Sequence, residues 1–548
     1  VVSRLSLREA VVARLGVDER ALAAFRVALA VVVLIDLAFA ALDATAFYTD
    51  AGVLPRSLLY AEFPVRGALS LHSLSGALWW QCVLFACLAL AAVAMAVGYR
   101  SRLAAAVTLL LVLSMGFRNP LVLNSGHSLL RQLLVWSVLL PVGARWSVDA
   151  RRRANDAAAG NADATATDAA AGDADAGPRL VTSVATVGLF VQVLVVYGMN
   201  AILKSRGRAW TSGDAVELVF GMDALTVALG DVLAGQSLLL ELGTHAWVAL
   251  LYATPLLVLA TGRLRTLVVG AFASAHLGMA LTLSLGVFPL VSITGLLVFL
   301  PSFVWNRVER VVDARLATVV DAHLPPAADR TLTVLDRPTA TTPWSAAGVS
   351  ESVGATLHFL RSAGRTAYRV APVVLLVGVL VWNAAGFGLL ALPTPVTDTI
   401  DPTEHRWDMF APNPLSTDAW YETVGTTTSA QRVDAYAGTA GLGPPEDVDG
   451  TYSSQKWYLY LRNLRAGDAD ARRVRLGAYL CERWNRRHDS TLANVSLALV
   501  TVDVALDAPN EVEREPFGTT ECDPDTTNAV ASGGEPKRIS VVAPHITP

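Results

Sequence analysis

The chain predicts an all-α polytopic membrane bundle of eight or nine transmembrane helices, followed by a C-terminal extracytoplasmic domain that is β-rich or α+β. Three observations lead there. Of 548 residues, 53% are hydrophobic and only 16% charged, with a mean hydropathy of +0.45, whereas soluble domains carry about 25% charged residues. Apolar runs near the length that crosses about 30 Å of hydrocarbon recur along the first 392 residues. From 393 onward the composition turns, with 23 Asp/Glu against 14 Lys/Arg.

The apolar runs centre on 26–42, 77–97, 103–117, 129–143, 180–203, 246–261, 266–286, 288–305 and 370–392, nine in all, with eight as the shorter reading. The first follows a long charged leader and lacks a small-residue cleavage site, so it reads as a span and not as a signal peptide. Arginines set the orientation. With Arg4, Arg8, Arg14 and Arg20 in the cytoplasm, Arg100/Arg102, Arg145 with Arg151 to Arg153, Arg263/Arg265 and the 306–369 stretch fall on the same side. The segments 43–76, 118–128, 204–245 and everything after 393 then lie outside the cell. A transmembrane domain therefore covers 1–305, a cytoplasmic loop 306–369, a last span 370–392 and the outer domain 393–548.

Within the first domain, 151–178 is Ala/Asp/Gly low complexity with nothing large to bury, which predicts a disordered cytoplasmic linker. In the outer domain "QKWYLYLRNL" (455–464) and "NVSLALVTVDVAL" (494–506) alternate as half-buried strands do, and "RLGAYLCERWNRRH" (475–488) reads as a short helix. Cys481 and Cys522 both lie there and are candidates for a disulfide in an oxidising exterior.

Several function classes drop out. A net charge of −4 and the lack of basic tracts argue against nucleic acid. The sequence has no GxSxG, Walker A, HExxH, paired CxxC, or GxGxxG opening a βαβ unit, and no metal is expected. Of 43 basic residues only Lys204, Lys456 and Lys537 are lysine. Where Arg is the default cation, a lysine in an apolar setting needs a reason. Lys204 ends the run 180–203; a partly desolvated amine can act as a neutral base, although a helix-end lysine snorkelling to the interface reads the same way. His127, where the chain turns between the third and fourth spans, can exchange protons near neutrality or simply cap a helix. His276 is an intramembrane ionisable group, and His72 a weaker candidate. Arg26, Asp36 and Arg131 read as buried ion pairs that fix helix packing. Arg26 and Asp36 are about 15 Å apart on one helix, so each needs a partner from another helix.

Taken together, "FRVALAVVVLIDL", "FYTDAGVLPRSLL", "LHSLSGALWWQ", "GYRSRLAA", "RNPLVLNSGHSLLRQLLVWSVLLPVGARWSVDA" and "ILKSRGRAWTSGDAV" resemble the horizontally transferred transmembrane (HTTM) family, to which the vitamin K-dependent γ-carboxylase is related. The likeness spans roughly 20–305 and continues in "HRWDMFAPNP" (405–414). It implies a lyase-type membrane enzyme in which a lysine deprotonates a reduced naphthoquinone. Oxygen then adds, and the strong base so formed takes a γ-proton from a substrate glutamate, which carbon dioxide carboxylates. Lys204, followed by Trp210 and Gly213, matches the lysine position. His127 and Ser128, with Asn124 just before them, match the segment that carries the active-site histidine. Trp210, Asn124, Ser128 and His276 are the expected contacts to substrate or cofactor. The implied cofactor is reduced menaquinone or another naphthoquinone. The implied partners are membrane lipid or quinone and a protein or peptide substrate. Two other classes stand beside this one: a non-catalytic membrane protein whose outer domain binds a partner, and a transporter, for which no internal repeat is evident.

Overall fold

The computed structural model describes residues 7–161, 179–323, 351–397, 401–403, 407–440, 452–467, 469–504, 506 and 511–522. Ten helices make the apolar part: α1 (Glu19–Leu42), α2 (Leu78–Val97), α3 (Ser101–Arg118), α4 (Ser125–Leu139), α5 (Val184–Lys204), α6 (Ser237–Tyr252), α7 (Gly262–Thr282), α8 (Phe288–Leu296), α9 (Ser302–His323) and α10 (Glu351–Gly386). Their starts carry recognisable caps. The Asp18 side chain accepts from Arg20 N at α1, Asn124 from His127 N at α4 and Ser183 from Thr186 N at α5, satisfying amides that the first helical turn leaves open.

Among the described residues six helices are long and apolar enough to cross a membrane: α1, α2, α3, α5, α7 and the Tyr368–Gly386 part of α10. The remaining three expected spans are cut short. At 15 residues α4 extends only about 22 Å. α6 stops at Tyr252, and the chain resumes after Pro255 as the short helix Leu256–Leu259. α8, continued by a tight turn to Phe299, meets α9 across Pro301 at 107°, and counting that bent pair as one span gives seven. Proline lacks an amide to donate and clashes with the preceding turn, so composition overstated the uninterrupted runs at 246–261 and 288–305. Exposed leucines and valines such as Leu90, Leu267, Leu238 and Val374 leave an apolar belt on α2, α6, α7 and α10, as expected of helices facing lipid.

The expected linker also differs. Residues Val148–Asn161 are helical, as an alanine-rich stretch favours, and Asp149 accepts from the amides of Arg100 and Ser101 at the start of α3. The rest of that expectation, 162–178, lies outside the described residues. The loop 306–369 begins inside α9 and ends inside α10.

The C-terminal region holds an antiparallel four-stranded sheet of β1 (Thr417–Thr427), β2 (Arg432–Asp434), β3 (Leu492–Asp503) and β4 (Glu511–Glu521), in the order β2-β1-β3-β4. β1 and β3 pair over their length, Trp420 opposite Val500 and Thr423 opposite Leu497. Helix α12 (Asp470–Arg487) lies against β3 and β4, and the Cys481–Cys522 disulfide ties it to the end of β4. The stretch 455–464, expected as a strand, is instead helix α11 (Gln455–Arg462). Its large apolar residues Trp457, Tyr460 and Leu461, with Leu464 in the tight turn just beyond, recur at helical spacing, and the Ser454 side chain caps the start by accepting from Trp457 N. Read over so few residues, periods of two and three to four are easily confused.

Helix α11 joins the two regions. Trp457 lies 4.9 Å from the Phe47 ring, Gln455 Nε2 donates to Ser284 O, and Ser454 Oγ donates to Asp43 Oδ2 at 2.6 Å. From α12, Arg475 Nε donates to Gly52 O at 2.8 Å. These contacts join the C-terminal region to segment 43–52 and to the turn after α7. Elsewhere Arg20 pairs with Glu309, and Arg265 donates to Arg14 O.

Candidate functional site

Lys204 closes α5 and is 3% exposed. Its Nζ donates to Met409 O at 2.5 Å and to Phe410 O at 3.2 Å, and it sits 3.9 Å from the centre of the Trp210 ring. Trp210 Nε1 donates to the same Phe410 carbonyl at 2.7 Å, and Asn200 Nδ2 donates to Trp407 O at 3.0 Å. The segment 407–413 therefore lies across the end of α5. Gly207 permits it: a Cβ there would stand 1.5 Å from Pro412 O. Lys204 makes no ion pair among the described residues; its ammonium positions are met by carbonyls and a π face. A neutral amine in the same place keeps both hydrogen bonds and gains a free lone pair.

His127 belongs to a different cluster. At the third position of α4 its Nδ1 faces Asn124, 3.1 Å from the backbone amide and 2.9 Å from Oδ1, while Nε2 is 3.2 Å from Asp36 Oδ1 on α1. If Nδ1 accepts from the Asn124 amide, Nε2 carries the hydrogen and donates to Asp36; in the imidazolium both nitrogens donate, Nδ1 to Asn124 Oδ1. Either way both nitrogens are engaged. The same Asp36 oxygen receives Lys456 Nζ from α11 at 3.4 Å, with both side chains nearly dehydrated. Burial alone would depress the lysine, but the Tyr48 hydroxyl and the Asp36 carboxylate more than offset it and hold Lys456 above its ordinary range. Burial pushes the Tyr48 phenol up.

These side chains border a cavity of about 10 Å³, lined by Asp36, Tyr48, Val112, Met115, Gly116, Leu123, His127, Arg131 and Lys456. That is room for about one water molecule. Lys204 is not among the lining residues, so the structure does not bring Lys204 and His127 to this cavity. Asn124 Nδ2 donates to Leu285 O, and Ser128 Oγ accepts from Arg131 Nη2.

The expected ion pairs hold for Asp36 alone. Arg26 is fully buried, yet its two terminal nitrogens donate to the carbonyls of Val142, Ala96 and Trp146 while its Nε has no hydrogen-bond partner among the described residues; a guanidinium with five donors can spread its charge over carbonyls without a carboxylate. Arg131 Nε donates to His127 O, and no ion pair of Arg131 occurs among the described residues. His276 is completely buried on α7, its Nε2 2.8 Å from Tyr197 OH and its ring 5.7 Å from those of Trp247 and Phe288. His72 lies with Nδ1 2.8 Å from Ser114 Oγ; burial, aided by the Arg118 charge, pushes it down to about 3, so it is neutral. Cys481 and Cys522 are bonded. No cluster of potential metal ligands occurs among the described residues.

Sequence reasoning missed Lys456. The signal was available, since Lys456 is one of three lysines in an Arg-dominated chain and sits in an aromatic stretch, but reading 455–464 as a strand of a separate domain hid its reach to Asp36, 420 residues earlier. Tyr48 was likewise not singled out. Comparison with family models, curated proteins and solved structures finds no match to this chain.

Proposed function

We propose that this chain is a multi-pass cell-membrane enzyme of the HTTM type, in which Lys204 acts as a base on a reduced quinone in an oxygen-dependent reaction, with carboxylation of a glutamyl side chain as the coupled step. One observation carries the reading. Two stretches on which the resemblance rests lie about two hundred residues apart in sequence, "ILKSRGRAWTSGDAV" and the described part of the second, "WDMFAPNP" (407–414), and fold onto each other around Lys204 Nζ. A dehydrated amine that makes no ion pair within 4.0 Å among the described residues, with the Asp408 carboxylate acting on it only from further off, is the kind of group that proton abstraction from a hydroquinone requires.

When bound, a reduced naphthoquinone would supply the acidic hydroxyl and the site of oxygen addition. The chain's part is to keep the amine out of water, aim it with the Met409 and Phe410 carbonyls, and offer the Trp210 face beside it. His127, held by Asn124 and Asp36, takes an orienting role in this reading and not direct assistance to Lys204. We place the N-terminus in the cytoplasm and the C-terminal domain outside. The arginine distribution supports that side, as does the Cys481–Cys522 disulfide, which suits an oxidising compartment.

The test is a membrane preparation supplied with reduced menaquinone, oxygen, labelled bicarbonate and a glutamyl peptide. Wild type forms quinone epoxide, and Lys204→Ala loses it by at least about a hundredfold, as expected for removal of a general base. Equal epoxide from both would remove Lys204 from the chemistry. No epoxide from wild type would favour the non-catalytic reading, in which the C-terminal domain binds a partner.

A further inference from the structure

Arginines gather without carboxylates around the turn between α2 and α3. That turn and the first residues of α3 carry Tyr99, Arg100 and Arg102, the helix Val148–Asn161 carries Arg151, Arg152 and Arg153, and the apolar part of α10 begins with Tyr368 and Arg369; all of these residues are exposed. The three segments touch. The Arg102 guanidinium sits 4.7 Å from the centre of the Tyr368 ring, and those of Arg152 and Arg100 sit 4.8 and 5.9 Å from the Tyr99 ring. Tyr368 OH also donates to Leu139 O at 2.6 Å.

Neighbouring carboxylates do not balance this charge. Asp149 spends Oδ1 on the Arg100 amide and Oδ2 on the Ser101 amide and hydroxyl, at 2.7–2.8 Å. Asp156, one turn after Arg152, makes no ion pair with it. Among the described residues no hydrogen bond or ion pair holds the guanidinium groups of Arg100, Arg102, Arg151, Arg152 or Arg369, and tyrosine rings are what steer three of them. Their place selects the partner. The turn joins the span that ends at Val97 to the span that starts at Ser101, and Tyr368 starts another. Residues at span ends stand at the depth of lipid headgroups, where tyrosine is enriched.

We propose that this surface binds the headgroups of anionic phospholipids, with Arg102 and Arg152 as the principal phosphate ligands and Tyr368 and Tyr99 aiming them. A guanidinium offers paired donors to phosphate oxygens, and surplus positive charge favours a headgroup with net negative charge over a zwitterionic one. A lipid held there bridges α3 to α10, whose apolar part is otherwise mostly exposed. Nothing in this inference depends on the chemistry at Lys204.

Native mass spectrometry of the full chain, released from nanodiscs of equal phosphatidylglycerol and phosphatidylcholine, counts the lipids that stay bound. Wild type keeps phosphatidylglycerol in preference. Each arginine at a charged membrane surface contributes about fivefold in affinity, so Arg102→Gln with Arg152→Gln lowers the preference by roughly twenty-five-fold. Arg102→Lys with Arg152→Lys keeps the charge, loses the planar fork and falls between the two. Arg206→Gln with Arg208→Gln, which changes exposed arginines beyond the end of α5, leaves the preference as in wild type. These substitutions alter exposed side chains, and a cooperative melt of each variant checks its fold. Equal retention of the two lipids by wild type, an unchanged preference in Arg102→Gln/Arg152→Gln, or the same loss in Arg206→Gln/Arg208→Gln overturns the proposal. So does displacement of phosphatidylglycerol by inorganic phosphate at matched ionic strength, which would make the ligand a soluble anion.

Discussion

Replacing Lys456 by methionine removes the cation that the C-terminal domain inserts against Asp36 while keeping most of the side chain's volume. Losing one partner of a buried pair costs about 3–5 kcal/mol, because the remaining charge is left buried and unpaired. Here Asp36 keeps its contact with His127 Nε2 at 3.2 Å, and one hydrogen bond to a charged group is worth about 1.5–3 kcal/mol. The expected loss is therefore roughly 2–3 kcal/mol, below the full range. It should appear as a lowered melting temperature of the nanodisc-embedded chain and as faster protease cutting between α10 and β1, where the domain would loosen. The double variant Lys456→Met/Asp36→Asn should recover at least half of the loss, since the orphaned charge is gone. The pH dependence follows from the raised value of Lys456. A lysine held above its unfolded value of about 10.4 contributes fully below that pH and loses the contribution only as the medium rises beyond it. The gap between wild type and Lys456→Met should thus stay constant from pH 7 to 9. Unchanged melting, or additive single and double losses, would refute the coupling.

Three further outcomes follow. Gly207→Ala places a Cβ 1.5 Å from Pro412 O; the 407–413 segment must move off α5, which should quench turnover and expose Lys204 to amine-reactive label while the bundle still melts cooperatively. Cys481→Ser with Cys522→Ser releases a crosslink spanning 41 residues, worth about 4 kcal/mol by loop entropy, and a matching fall in melting temperature under non-reducing conditions checks it. Burial raises the Asp418 carboxyl, despite the amides of Ala224 and Ala419 that it accepts from. A raised carboxyl loses stability as pH climbs through its folded value, so Asp418→Asn should melt higher than wild type at pH 7, with the advantage shrinking as pH falls through that raised value and gone below about pH 3.9.

Much of the membrane part was legible because lipid imposes a simple rule on composition. α1, α2, α3, α5 and α7 fall within a few residues of the apolar runs, and the last run falls inside α10. The expected spans that are not single long apolar helices are the 15-residue α4 and the two where Pro255 and Pro301 break the backbone inside a run that still averages apolar. Lys204 could be picked out by its scarcity and its place at a helix end, and the structure finds it buried as that reading required. Partners were another matter. Asp36 advertises its need for a cation, but nothing local names Lys456, whose approach depends on a helix mistaken for a strand. Arg26 shows the converse, a buried charge whose terminal nitrogens are held by carbonyls that carry no side-chain signature.

The most direct measurement is photo-crosslinking of an azido-naphthoquinone to the nanodisc-embedded chain, followed by peptide mapping. Label that falls on 197–213 and 407–413, and that excess menaquinone displaces, is the predicted result. Label scattered over the lipid-facing sides of α2, α7 and α10, and unaffected by menaquinone, would contradict a quinone site at Lys204.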